Sequence, residues 1–210
     1  MSIKLHLGCG SKIKEGWVNI DAVPELKPDI VHDISRPLPF ADLSAGEVLA
    51  EDLLEHFDKY MRYIVFYQWT KVLMIDGIIT IRVPNFKKLL WRYFKFGYDK
   101  FVDQVFGETM WNSEVYTSHF GGHKWGYSQQ TLEDFVKQFH IIPTRITLDG
   151  LNIELVGRKE KHLSEDDFSK LKVVSLVNNR EYPMSFVQER IRNFQLAEEQ
   201  LSANLKKQPL

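Results

Sequence analysis

Gly8 and Gly10 stand directly after an apolar stretch, Ile3 to Leu7, that reads as a strand, and Asp21 closes the next one, Trp17 to Ile20. Glycines at a strand end let backbone N–H groups approach a ligand closely, and an acid at the following strand end can accept both hydroxyls of a ribose. Alone, the Gly-x-Gly pair is equally what a tight turn produces. The other residues equipped for chemistry are His56, His119 and His123. An imidazole with an ordinary pKa of about 6.5 is a suitable recipient for the proton of a reacting hydroxyl, so all three are candidate catalytic groups. Either of the last two could instead hydrogen-bond a loop, and His56, with Glu55, could orient the helix that follows. As metal ligands His119 and His123 lack an evident third partner, and the two glycines between them oppose a helix that would align their rings. No metal is expected.

The Gly8 turn discriminates between nucleotide ligands. A dinucleotide needs a third glycine and a helix N-terminus for its pyrophosphate, and Ile13 stands where that glycine belongs. Asp21 also arrives at about half the roughly 20 residues usual for such a site. A nucleoside without phosphates is the better match.

The elements that must position these residues follow from periodicity. Asp29 to Asp33 reads as a third short strand and Glu47 to Ala50 as a fourth. Asp58 can cap a helix whose apolar positions, Met61, Ile64, Val65, Trp69, Val72 and Leu73, keep the helical period and stop near Asp76-Gly77. Ile78 to Val83, ended by Pro84, is nearly unbroken apolar sequence, as expected of a parallel strand covered on both faces. Ser128 can cap another helix with Leu132, Phe135, Val136 and Phe139 on one side. Ile141 to Leu148 and Asn152 to Val156, separated by Asp149-Gly150, read as a closing hairpin. This order outlines a doubly wound, mostly parallel α/β sheet carrying an antiparallel edge strand. Ser11 to Gly16 is too short for an ordinary parallel crossover, so the first helix must be nearly absent.

Two segments fall outside this plan. Residues 86–126 form an insertion dense in aromatics and sprinkled with Lys87, Lys88, Arg92, Lys95 and Lys100. It reads either as a lid that stacks on a sugar or base, or as a helix burying Phe86, Leu89, Leu90, Tyr93 and Phe94. Lys159 to Pro183 is a mixed polar connector, after which Ser185-Phe-Val-Gln188 is a capping box opening a C-terminal helix with a thin stripe at Val187, Ile191, Phe194, Leu201 and Leu205.

The run Leu5-His-Leu-Gly-Cys-Gly-Ser-Lys followed by Gly16-Trp-Val-Asn-Ile-Asp21 resembles the small class I S-adenosylmethionine-dependent methyltransferases, of the type 11-like kind. Leu53-Leu-Glu-His-Phe57, Val83-Pro-Asn85 and Tyr127-Ser extend the likeness in order over residues 1–160, leaving 161–210 as connector and C-terminal helix. The resemblance implies a Rossmann-like fold and S-adenosylmethionine as cofactor. Residue by residue it places Gly8, Cys9 and Gly10 at the methionine end, Asp21 on the ribose, Asp33 and Ile34 around the adenine, and Glu51 and Asp52 by the sulfonium. Lys12 is then available to the methionine carboxylate, or is simply a solvated lysine.

Composition narrows the partners. With 210 residues and a net charge of −1, the chain suits one domain with appendages and has no electrostatic reason to bind nucleic acid or an anionic membrane. No apolar run approaches the roughly 20 residues needed to span a bilayer. Cys9 is the only cysteine, which points to a reducing, cytoplasmic setting. Aromatics and histidines near the expected acceptor pocket favour O-methylation of a sugar, a glycan or another small polar acceptor. The alternatives are a protein that keeps the cofactor fold for binding or scaffolding without turnover, and, with less support, a nicotinamide-dependent oxidoreductase.

Overall fold

The computed structural model describes residues 2–97, 101, 105, 122–175 and 180–192. The chain divides into two compact units between Leu163 and Ser164. In the first, β1 (Ile3–Leu7), β2 (Val18–Asp21), β3 (Ile30–Val31), β4 (Ala45–Glu51), β5 (Leu73–Pro84), β6 (Ile141–Asp149) and β7 (Asn152–Lys159) form a seven-stranded sheet in the order β3-β2-β1-β4-β5-β7-β6. β3 to β5 pair in parallel, and β7 runs antiparallel to both β5 and β6, so the predicted hairpin closes one edge. The chain starts mid-sheet, steps out to β3 and returns to β4, which puts the reversal of strand order between β1 and β4.

Three helices of this unit are described: α1 (Met61–Val72), α2 (Phe86–Phe96) and α3 (Gln129–Lys137). The side chain of Asp58 accepts from the N–H groups of Tyr60 and Met61 at 2.8 and 2.9 Å, starting α1 close to where its residue type predicts. Ser128 and Thr131 form a reciprocal capping box at α3. α1 ends earlier than its apolar spacing suggests: Leu73 to Asp76 already belong to β5. The cause is distant in sequence. Lys159, fully buried on β7, donates its Nζ to the carbonyls of Thr70 and Leu73 at 2.6 and 2.7 Å and so satisfies the end of the helix.

The sheet buries its two faces unequally, contrary to the expectation for β5. Strand register puts Leu5, Leu7, Ile20, Val48, Ala50, Ile79, Ile81 and Leu155 on one face, all buried. On this side α1 and α3 interlock through aromatic rings, Phe66 meeting Phe135 and Phe139 at centroid distances of 5.1 and 4.9 Å. The opposite face carries Lys4, His6, Asn19, Glu47, Thr80, Arg82 and Glu154, and β5 alternates buried with half-buried positions. Handedness gives the reason. The β1-to-β2 and β4-to-β5 connections step in opposite directions across the sheet, so right-handed crossovers place them on opposite faces. No α-helix lies between β1 and β4, only a 3₁₀ turn at Pro24–Leu26.

Asn19 substitutes for the missing first helix. Its side chain takes the N–H of Lys14 at 2.8 Å and donates to the carbonyls of Lys14 and Trp17 and to the Asp29 carboxylate. The backbone N–H of Asn19 also bonds Asp29, at 2.7 Å. These bonds hold the carboxyl of Asp29 below its ordinary pKa.

α2 does not bury the apolar face assigned to it. Leu89 is inside, but Leu90, Tyr93 and Phe94 are exposed, Phe94 at 78%. Residues 98–100, 102–104 and 106–121 of the insertion lie outside the described residues.

In the second unit the expected polar connector contains structure of its own. Ser164 caps α4 (Glu165–Lys170), β8 (Lys172–Ser175) pairs antiparallel with β9 (Arg180–Pro183), and residues 184–192 are helical. That helix starts before Ser185, which therefore sits inside its first turn. Val187 is buried, Ile191 is half-buried, and Phe194, Leu201 and Leu205 lie outside the described residues.

Candidate functional site

The carboxyl ends of β1, β2 and β4 meet at the reversal of strand order, the place where open α/β sheets leave a crevice. Gly8 and Gly10 both adopt left-handed backbone, with φ of 58° and 55°. At Gly8 a Cβ would also come within 2.6 Å of Leu53 Cδ1. Two of the turn's amides are committed inside the protein: Cys9 N–H donates to the Ile20 carbonyl at 3.0 Å and Gly10 N–H to Asp21 Oδ2 at 2.8 Å. The Gly10 N–H, expected to approach a ligand, instead fixes the acid. Asp21 Oδ1 accepts from Val23 N–H at 3.0 Å, so each carboxylate oxygen keeps a further lone pair for a hydroxyl. Cys9 is buried, and desolvation first, then the charge of Asp21, pushes its thiol up to about 11.

The other residues expected at a cofactor divide. The N–H of His32 bonds the Asp21 carbonyl at 2.9 Å, which ties the segment leading to Asp33 and buried Ile34 to the end of β2. Asp33 itself accepts from the N–H and hydroxyl of Ser35 at 2.9 and 2.7 Å. Asp52, with left-handed φ of 52°, links two elements through Oδ2, receiving Lys12 at 3.3 Å and Arg82 at 3.1 Å. Lys12 is thus a partner of Asp52, joining the turn after β1 to the end of β4. Glu51, the last residue of β4, lies on the polar face of the sheet, 3.8 Å from His6 Nε2.

The histidines form a second centre. His56 ends a 3₁₀ turn, Leu54–His56, and its Nδ1 bonds the Gly122 carbonyl at 3.1 Å. The carbonyl of Glu55 accepts the N–H groups of Lys124 and Trp125 at 2.8 and 3.0 Å, clamping the end of the insertion against this turn. His123 consequently packs edge-on to His56, with ring centroids 5.2 Å apart. Glu55 joins them: it is 1% exposed, neither carboxylate oxygen has a hydrogen-bond partner, and its ligand atom and those of both rings lie within 4.8 Å of one another. The absence of a third metal-ligating group, on which the expectation of no metal rested, therefore does not hold. His119 lies outside the described residues. His123 also borders a cleft of about 320 Å³ at the end of β5, walled by Pro84, Phe86, Leu89, Trp125 and Gly126.

No family model matches the chain, and no curated protein sequence matches it. Solved structures do. A SAM-dependent methyltransferase from Archaeoglobus fulgidus aligns with 75% of this chain and 86% of its own, at 13% identity and a TM-score of 0.51. An S-adenosylmethionine-dependent methyltransferase from Clostridium acetobutylicum aligns with 76% of this chain and 85% of its own, at 14% identity and a TM-score of 0.51. The 1,6-didemethyltoxoflavin-N1-methyltransferase of Burkholderia thailandensis, solved with 1,6-didemethyltoxoflavin and S-adenosylhomocysteine, aligns with 76% of this chain and 72% of its own, at 12% identity and a TM-score of 0.52. The fold is that of the class I S-adenosylmethionine-dependent methyltransferases.

On this methyltransferase fold the second centre is electrostatically unusual. Burial, reinforced by the nearby charge of Asp52, pushes Glu55 up to about 8. Burial and then the neighbouring His123 lower the pKa of His56, disfavouring its charged form. Arg62, itself buried, lies 4.3 Å from the Trp125 ring centre and 4.7 Å from that of Phe135, so one wall of the cleft is braced by a cation–π contact. Arg62 carries no motif that identifies it beforehand, and Asn19 stands inside the Gly16–Asp21 run without any sign there of its hydrogen-bonding role. Glu55 had one available signal, its position beside His56.

Proposed function

We propose that this chain binds S-adenosylmethionine at the carboxyl ends of β1, β2 and β4 and methylates a hydroxyl of a sugar or other small polar acceptor held beside His123. The observation that carries the reading is the hydrogen bond from Gly10 to Asp21 at the reversal of strand order, on a fold shared with methyltransferases. Asp21 receives the ribose hydroxyls on its unused lone pairs, Asp33 and Ile34 flank the adenine, and the Gly8–Gly10 turn accommodates the methionine end with Asp52 beside it.

When bound, S-adenosylmethionine supplies a methyl on a sulfonium: an oxygen lone pair forms the new C–O bond as the C–S bond breaks, and the positive charge on sulfur is lost. The chain's task is alignment and exclusion of water, which can supply much of the rate. The apolar walls at Phe86, Leu89 and Trp125 suit the second task. A hydroxyl must also lose its proton, and the His56–His123 centre is where we place that loss, with His119 as a further candidate. Residues 1–160 carry this activity, and the single cysteine supports a reducing, cytoplasmic setting.

The test is transfer of labelled methyl from the cofactor to acceptors in a cell extract, followed by identification of the labelled product. A labelled O-methyl product that depends on Asp21 supports the reading. Label appearing only on nitrogen or carbon contradicts the choice of acceptor.

A further inference from the structure

We propose that Glu55, His56 and His123 bind a divalent transition metal of the zinc class, through one carboxylate oxygen and one nitrogen of each ring. The three ligand atoms lie within 4.8 Å of one another. Ligands at ordinary zinc bond lengths stand about 3.4 Å apart in a tetrahedron, so side-chain rotations of modest size would close the set. Glu55 is a second and independent observation. Its carboxyl is 1% exposed and neither oxygen has a partner; protonation removes the charge but leaves both oxygens unpaired, a cost that a bound cation would relieve.

His56 is already oriented for coordination. Its Nδ1 donates to the Gly122 carbonyl, which leaves Nε2 with its lone pair, and a backbone carbonyl on the far ring nitrogen is the usual support for a metal-bound histidine. The paired N–H groups of Lys124 and Trp125 on the Glu55 carbonyl fix the segment bearing His123 against the turn bearing the other two ligands. Two imidazoles and one carboxylate select zinc, iron(II), manganese or cobalt over magnesium and calcium, which favour oxygen ligands. Three protein ligands also leave a coordination position, and His123 lines the cleft. An acceptor hydroxyl bound there would have its pKa lowered by the cation and would release its proton to solvent in the cleft, in place of direct uptake by an imidazole. That last role rests on the methyl-transfer reading, whereas the metal site does not.

The test is titration of chelator-stripped protein with cobalt(II) in the absence of cofactor, followed by visible d–d absorption. The expected result is uptake of one ion per chain with bands of a low-coordination site, weakened more than about 10-fold in both Glu55→Gln and His123→Ala. Circular dichroism in chelator checks folding, and either folded variant suffices. No bands in the wild-type protein, or wild-type binding in a folded variant, overturns the proposal. S-adenosylmethionine calorimetry on the same samples reads the other site, so a failed methyl-transfer reading and a failed metal site give different patterns.

Discussion

Gly10 donates its backbone N–H to Asp21 Oδ2 across 2.8 Å, joining the turn after the first strand to the end of the second without an intervening helix. Asp21 is 8% exposed and also accepts from Val23, so it is structural before any ligand arrives. Asp21→Ala orphans two N–H donors and should lower unfolding free energy by about 1 to 3 kcal/mol per orphaned donor at most. Denaturant unfolding checks this, and an unchanged midpoint would mean that water replaces the carboxylate at no cost.

Glu55 makes stability depend on pH in a defined window. Its folded-state pKa of about 8 lies above the ordinary carboxyl value, so the native protein binds more protons than the unfolded chain between those limits. The contribution is fully present at acid pH and is lost as pH rises toward and through 8. Chelator-treated protein should therefore lose stability over that range, and Glu55→Gln should flatten the profile. Thermal melts across the range decide it; parallel profiles for the two proteins would remove Glu55 as the source.

Lys159 caps the carboxyl end of α1 from a strand far along the chain. Lys159→Met should destabilise by about 1 to 3 kcal/mol because two buried carbonyls lose their donor. Desolvation lowers the lysine to about 8, so the native state binds fewer protons than the unfolded chain between there and the ordinary lysine value. Its contribution to stability therefore rises with pH through that window, a rise that the variant should lack in chemical denaturation series.

Cys9 lies in the turn between Gly8 and Gly10, yet its thiol is 2% exposed and pushed up to about 11. Iodoacetamide should label it slowly in native protein at mildly alkaline pH and quickly after unfolding. Equal rates, read by mass spectrometry, would show that the turn opens freely.

The parts legible in the sequence were those set by neighbouring residues. The Gly8–Gly10 turn, the missing first helix and the cap at Ser128 each depend on a few consecutive positions. The end of α1 was not legible, because it is fixed by Lys159 and local apolar spacing continues past it. The half-covered sheet was signalled only faintly, by Arg82 and Thr80 alternating with Ile79, Ile81 and Val83. Glu55 and His123 meet through backbone bonds between segments far apart in the chain, a proximity that no spacing rule supplies.

Calorimetric titration with S-adenosylmethionine and, separately, NAD tests the central claim most directly. The account predicts saturable binding of S-adenosylmethionine, weakened at least about 10-fold in folded Asp21→Ala, and no binding of NAD. Uptake of NAD with none of S-adenosylmethionine would contradict it.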